Sequence, residues 1–259
     1  MRKARLAEDP RRQDGLMLEG LYSAAAGMSA QEQQLDAISN DLANVNTQGY
    51  KSDRVAFRDL LYSNVEQAGT ATTTGAGAGA QFIGRSSAEG AIKETGDPLD
   101  LAIEGNGYFQ VTRANGQLAL TRDGAFRVDA SGTITTAEGN RLSPPIKLPA
   151  GVSARDLRIA PDGTVTAGGR TLGQVKLVTV TAPDHLQAEG SGELLPTAAS
   201  GAPHPASTAK IHQGALEESN VDMAKEMALM VSTQRDYQLS STAIQTESQM
   251  MSIANQLRA

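Results

Sequence analysis

The sequence predicts an α+β protein: long N- and C-terminal helices pairing as a coiled coil, with a central antiparallel β-rich domain. Apolar residues recur at seven-residue spacing near both ends, the pattern of helix-on-helix packing. Turn dipeptides punctuate the middle at intervals of about eight to twelve residues, as in antiparallel β domains. The composition agrees: with 3% aromatic residues, no Trp and 26 Gly among 259 residues, thin cores and many turns are expected.

Residues 1–16 carry five basic and three acidic side chains without periodicity. They are expected to be a disordered extension or a start assigned upstream of Met17. Residues 17–49 follow as the first helix. Leu21, Met28, Leu35 and Leu42 lie seven apart, and Ala24, Gln31, Ile38 and Val45 form the companion set three residues on. Ala24, Ala25, Ala26 and Gly27 permit close backbone approach. Asn46-Thr47-Gln48-Gly49 ends the helix, with Gly49 suited to a left-handed cap.

Residues 50–80 are expected to be a linker, its part from 64 onward low in complexity and rich in Ala, Gly and Thr. Residues 81–182 read as the β-rich domain. Asn115-Gly116, Asp123-Gly124, Ser131-Gly132 and Asp162-Gly163 are hairpin signals, and Val175–Val180 is a further strand. Gly105-Asn106-Gly107 lies between two strand-like runs, Leu99–Ile103 and Tyr108–Thr112. Position 110 is Gln, so the third glycine of a dinucleotide loop is missing and a tight hairpin turn is expected.

Residues 183–218, rich in Pro, Gly, Ser and Ala, are expected to be a return loop. Residues 219–259 form the second helix, with Ser219 or Asn220 as N-cap. Met223, Met230, Tyr237, Ile244 and Met251 fall seven apart. Their companions Met227, Gln234, Ser241 and Ser248 are mostly small or polar, and Leu229, Ala243, Met250 and Leu257 add a second apolar row. A lone helix of this length is marginal in water, whereas each fully buried apolar side chain contributes about 1.5–3 kcal/mol. The helices must therefore bury against each other, the β domain, or copies of the same chain.

Several function classes are excluded. A net charge of −6 provides no basic excess to replace phosphate counterions, so no nucleic-acid partner is expected. Absence of Cys excludes disulfides, thiolate catalysis and Cys-ligated zinc. No apolar run is long enough for membrane insertion. The short run Leu21–Ala30, with Glu19 at its front edge, makes a poor cleaved signal peptide. His185, His204 and His212 lack metal-ligand spacing, and Asp97 and Asp100 have the character of turn residues. No catalytic, cofactor-binding or metal residue is assigned, and no cofactor is expected.

Two terminal segments carry a family resemblance: Leu18-Glu-Gly-Leu-Tyr-Ser-Ala-Ala-Ala-Gly-Met28 and Ile38-Ser-Asn-Asp-Leu-Ala-Asn-Val-Asn-Thr-Gln-Gly-Tyr-Lys51. With Gln213–Val221, Gln234–Gln238 and Ile244–Met250, they resemble the signatures of flagellar basal-body rod and hook proteins. Asn44, Asn46, Gly49 and Tyr50 stand in the most specific stretch. Pro98–Val111, Thr121–Phe126, Leu186-Gln-Ala and Thr197–Pro203 are most similar to the distal-rod branch; the residue 1–16 extension falls outside the pattern. The resemblance implies a non-enzymatic subunit whose terminal helices form the axial core of a self-assembling helical tube that transmits motor torque to the hook. It implies type III export without a cleaved signal peptide and a place in the cell-envelope rod. Implied partners are copies of itself, other rod proteins, the hook protein, the P- and L-ring proteins and the export apparatus. The assembly seam then comprises Leu21, Met28, Leu35, Ile38, Leu42, Val45, Met223, Met227, Met230, Tyr237, Ile244 and Met251. The alternatives are a sister rod or hook subunit, or a secreted β-rich enzyme or carbohydrate-binding module with helical flanks. Few aromatics and no convergent motif argue against the last.

Overall fold

The computed structural model describes the backbone of residues 10–60, 63–67, 70–74, 77–149 and 151–258. The fold is α+β and divides into two compact units. The first comprises Met1–Asn40, Val55–Ile83 and Ala224–Ala259; the second comprises Asp41–Arg54 and Gly84–Met223.

The first unit holds most of two long helices, α1 (Pro10–Ala43) and α2 (Met223–Arg258). The extension expected over residues 1–16 is helical from Pro10 onward, and residues 1–9 lie outside the described residues. Proline suits a first helical position because its missing N–H would have no intrahelical partner there. The 50–80 linker also departs from expectation. Asp53–Asp59 pairs with Ala78–Arg85, and Ser63–Gln67 forms a hairpin with Thr70–Thr74, Ser63 opposite Thr74. The β-branched run Thr72-Thr73-Thr74 favours the pleated conformation over free linker. Among the described residues no helix is long and apolar enough to cross a membrane.

The second unit is antiparallel β structure. Its central strand Tyr108–Thr112 pairs with Leu118–Thr121, Arg141–Leu142 and Leu177–Thr179. Alternation along that strand turns Phe109 and Val111 inward. There they join Leu101, Ile103, Phe126, Ile134, Leu142, Ile146, Leu157 and Val165 in the core. The Phe109 and Phe126 rings meet edge to face, 5.1 Å apart at 86°, a favoured quadrupole arrangement. A three-stranded meander, Leu157–Ile159, Thr164–Ala167 and Arg170–Gln174, adds Leu157 and Val165 from its side.

Two short strand pairs tie the start of this unit to its end. Leu101–Glu104 pairs with Lys210–Gln213, and Ile92–Glu94 with Ala215–Glu217. They correct two expectations. Gly105-Asn106-Gly107 does not close a hairpin, because the strand before it pairs with Lys210–Gln213 and the strand after it with other partners. The return loop over 183–218 instead contributes five strands, among them Gln187–Gly190, Glu193–Leu195 and His204–Pro205. Gln187–Gly190 and Glu193–Leu195 form a local hairpin, whereas Glu193–Leu195 also pairs with Leu118–Thr121, and Lys210–Gln213 and Ala215–Glu217 have partners about a hundred residues away that local composition did not reveal. Asn115-Gly116, Ser131-Gly132 and Asp162-Gly163 all sit at turns between paired strands. Asp123-Gly124 does not: the Asp123 carboxylate accepts from the Ala125 N–H at 3.0 Å, while Gly124 backs onto Leu101.

Candidate functional site

The last turn of α1 and the first residue of α2 both belong to the second unit, and the residues joining them form a buried polar cluster. After Ala43 the chain leaves the helix through successive turns. Asn44 N–H donates to Asp41 O (3.1 Å), Thr47 N–H to Asn44 O (3.0 Å) and Tyr50 N–H to Thr47 O (3.3 Å). Gly49 therefore lies six residues beyond the helix and is not its cap. Its φ of 65° belongs to this descending turn. A Cβ there would stand 2.6 Å from the Arg122 carbonyl carbon, so only glycine lets the two backbones approach.

Tyr50 and Lys51 reach different partners, Asp41 and Glu217. The Tyr50 hydroxyl donates to Asp41 Oδ1 at 2.8 Å, and the Asp53 N–H donates to the same oxygen at 2.9 Å. These bonds fasten residues 50–53 to the last turn of α1. Burial pushes the Asp41 carboxyl above the usual carboxylate range. Burial, then the bond to Asp41, pushes the Tyr50 hydroxyl above its ordinary value.

Lys51 enters a buried ion cluster centred on Glu217. Lys51 Nζ lies 2.5 Å from Glu217 Oε1, and Arg122 Nη1 lies 2.8 Å from Glu217 Oε2. The Gly90 N–H also donates to Oε1 at 2.9 Å. Lys51 donates further to Ala88 O at 2.7 Å, and Arg122 to Ile103 O and Gly105 O at 3.1 and 2.7 Å. The Arg122 guanidinium also stands over the Tyr108 ring, 5.8 Å from its centroid. Each charge thus has a counter-charge and polar partners, which a buried ion needs. Burial lowers the Lys51 pKa, with Glu217 opposing the shift. At Gly90 a Cβ would fall 1.9 Å from Glu218 O, so the loop carrying its N–H reaches the carboxylate only as glycine.

The backbone completes the joint. Gly49 N–H donates to Glu217 O at 2.8 Å, and Asn220 N–H to Tyr50 O at 3.3 Å. Asn220 Oδ1 accepts from Ser52 N–H at 2.8 Å, and its amide donates to Ala88 O at 2.9 Å. Asn220 therefore bridges the two chain ends instead of capping α2, which begins at Met223. Of the other motif residues, Asn44 accepts from the Thr47 hydroxyl at 3.1 Å. Exposed Asn46 lines a groove of about 450 Å³ beside Leu216 and Val221.

Along α1, Leu21, Met28, Leu35 and Leu42 are half-buried and Ile38 is buried; Val45, half-buried, lies in the turn beyond the helix. On α2, Met230, Tyr237, Ile244 and Met251 are half-buried, whereas Met223 and Met227 stand exposed in the single chain. The covered companions of the α2 row lie three residues on, at Glu226, Thr233, Ser240 and Glu247. An apolar row accepts companions at either three or four residues, and the side chain of Met227 pointed to the latter. Arg122 and Glu217 were given no role by the sequence, and Asn220 only that of a helix cap. Their one sequence signal was position within the resembling segments. Among the described residues no group of three or more His, Asp or Glu is placed to hold a metal ion.

Three family descriptions match the chain: "Flagella basal body rod protein" over residues 21–51, "Flagellar hook protein FlgE/F/G D1 domain" over 102–167, and "Flagellar basal body rod FlgEFG protein C-terminal" over 212–257. The chain is 35% identical to the flagellar basal-body rod protein FlgG of Borreliella burgdorferi, covering 93% of this chain and 99% of that one. It is 35% identical to FlgG of Caulobacter vibrioides over 93% and 100% of the two chains. Identity to the rod protein FlgF of the same bacterium is 32%, over 86% and 90%. The first and last matched segments contribute Lys51 and Glu217, so the joint is built where the family descriptions fall. This chain belongs to the flagellar basal-body rod and hook protein family.

Proposed function

We propose that this chain is a distal-rod subunit that polymerises into a helical tube and carries torque from the motor towards the hook. The coarser statement is established by kinship: it is a structural rod protein of the flagellar basal body, not an enzyme, and it assembles with other rod and hook components.

The observation that carries the finer reading is apolar surface left uncovered on α2. Leu229, Leu239, Met250 and Ile253 are exposed, on a helix whose other side holds the half-buried Met230 row. Pairing of the terminal helices as a coiled coil is supported by α1 and α2 meeting at Gly20, where a Cβ would stand 2.7 Å from Glu247 Oε1. Gln31 Oε1 and Gln34 Oε1 on α1 are buried without a hydrogen-bond partner among the described residues. Unpaired buried acceptors of this kind call for donors from a neighbouring helix. Met223 and Met227 join the seam on the same reading, by contact with a second copy. Passage through the export apparatus, position in the periplasmic rod and contact with the P- and L-ring proteins accompany this role.

Immunogold or tag density in purified basal bodies tests the assignment. Label along the distal rod is expected, and Met230→Asp should remove it while the β unit still folds. The FlgF relative supports a second reading, a sister rod subunit. Label confined to the proximal rod would replace the first reading with it, and label in the hook would overturn both.

A further inference from the structure

The Lys51–Glu217–Arg122 cluster lies outside the helical seams and outside the apolar β core, and nothing in the assembly role requires a buried ion triad. Its position is informative. Lys51 follows the turn out of α1, Glu217 precedes α2 by six residues, and Arg122 immediately follows the strand Leu118–Thr121. Each Glu217 carboxylate oxygen holds one cation, and the Glu217 carbonyl holds Gly49. The residue leading into α2 thus grips the residues leaving α1 through both side chain and backbone. The Tyr50–Asp41 bond passes that grip to the last turn of α1. An apolar contact here would slide, because burial alone has no direction. Paired charges buried together have one low-energy arrangement, and breaking a partner strands a charge.

We infer that Glu217 is a positioning residue, fixing through Lys51 and Arg122 the spacing between the end of α1 and the start of α2 in the unassembled chain. The joint is set by this clamp and not by packing of the β core, so the helices have a fixed separation at their base before meeting any neighbour. The inference concerns the isolated chain and is tested independently of the rod assignment.

The chain contains no cysteine, so two introduced cysteines carry labels unambiguously. Ala43→Cys and Met223→Cys place spin labels on exposed residues at the two helix ends of the second unit. Double electron–electron resonance on the dilute full-length chain reads their separation, and methyl NMR of Ile134, Ile146 and Val165 reads the core. The parent should give one narrow distance distribution. Lys51→Met removes one arm and leaves Glu217 paired with Arg122. It should broaden the distribution at least twofold with core resonances unmoved, while Lys51→Arg, which keeps the cation, should remain narrow. Glu217→Gln should broaden it as Lys51→Met does; if that variant fails to fold, the two Lys51 variants decide. A distribution for Lys51→Met as narrow as the parent's would overturn the proposal. So would Lys51→Arg as broad as Lys51→Met, or core resonances shifting together with the distance.

Discussion

Replacing Leu239, Met250 and Ile253 together with Gln tests whether the uncovered side of α2 drives polymerisation. At 3.6 residues per turn these positions fall within about 60° of one another, on the side away from the Met230 row. Their exposures are 69%, 52% and 57%, so a neighbour has rather less than two whole side chains' worth of apolar surface to cover. At about 1.5–3 kcal/mol per fully buried side chain, the stripe contributes about 3–5 kcal/mol per subunit added. Tenfold in an equilibrium constant corresponds to about 1.4 kcal/mol. The critical concentration for polymerisation should therefore rise between about a hundredfold and several thousandfold. Glutamine sits near Leu and Met in helix propensity, so the helix content of the dilute chain should be unchanged. Sedimentation of polymer against total concentration, beside circular dichroism of the dilute chain, measures both. Polymerisation of the triple variant at the parent's critical concentration, with helicity intact, would refute the reasoning.

Three further outcomes follow from the second unit. Phe109→Ala removes a fully buried ring and its edge-to-face partner contact, and should cost about 3–5 kcal/mol in denaturant unfolding. Gly49→Ala forces a side chain into a left-handed backbone and against Arg122. It should cost about 1–3 kcal/mol, with the resonances of Arg122 and Tyr108 displaced. The Asp129 carboxyl is held below its ordinary value of 3.8 first by the Ser131 hydroxyl, then by the Thr133 N–H. Its stabilising contribution is therefore present above that value and lost as pH falls through the lowered one. Melting temperature should decline less steeply below pH 4 in Asp129→Asn than in the parent, and equal slopes would count against the linkage.

The two helices were legible because a seven-residue apolar repeat is a strong local signal. Three of the four dipeptide turns were legible because Asn-Gly, Ser-Gly and Asp-Gly supply the backbone freedom a tight turn needs. What stayed hidden depends on distant partners. The strand Lys210–Gln213 pairs with Leu101–Glu104, more than a hundred residues earlier, and nothing in a stretch of Ala, Pro and Ser announces that. At the joint, Gly49 and Tyr50 stood out as motif residues, but their chemistry required Arg122 and Asp41 to be brought alongside. Glu217 lies 166 residues from Lys51, and a Glu-Glu pair ahead of a helix reads as a solvated end. Gly49 was assigned to a helix cap because it follows a helix; its φ was anticipated, and its neighbour was not.

The pairing of Ile92–Glu94 with Ala215–Glu217, and of Leu101–Glu104 with Lys210–Gln213, has a mechanical consequence. Tension arriving at the residues that lead into α2 passes to Ile92–Glu94 and Leu101–Glu104 through a few adjacent ladder bonds, bypassing the roughly hundred residues looped out between Glu104 and Lys210. The looped-out residues are then passengers on a short load path, free to lengthen, shrink or change their surface while these two ladders bear the force.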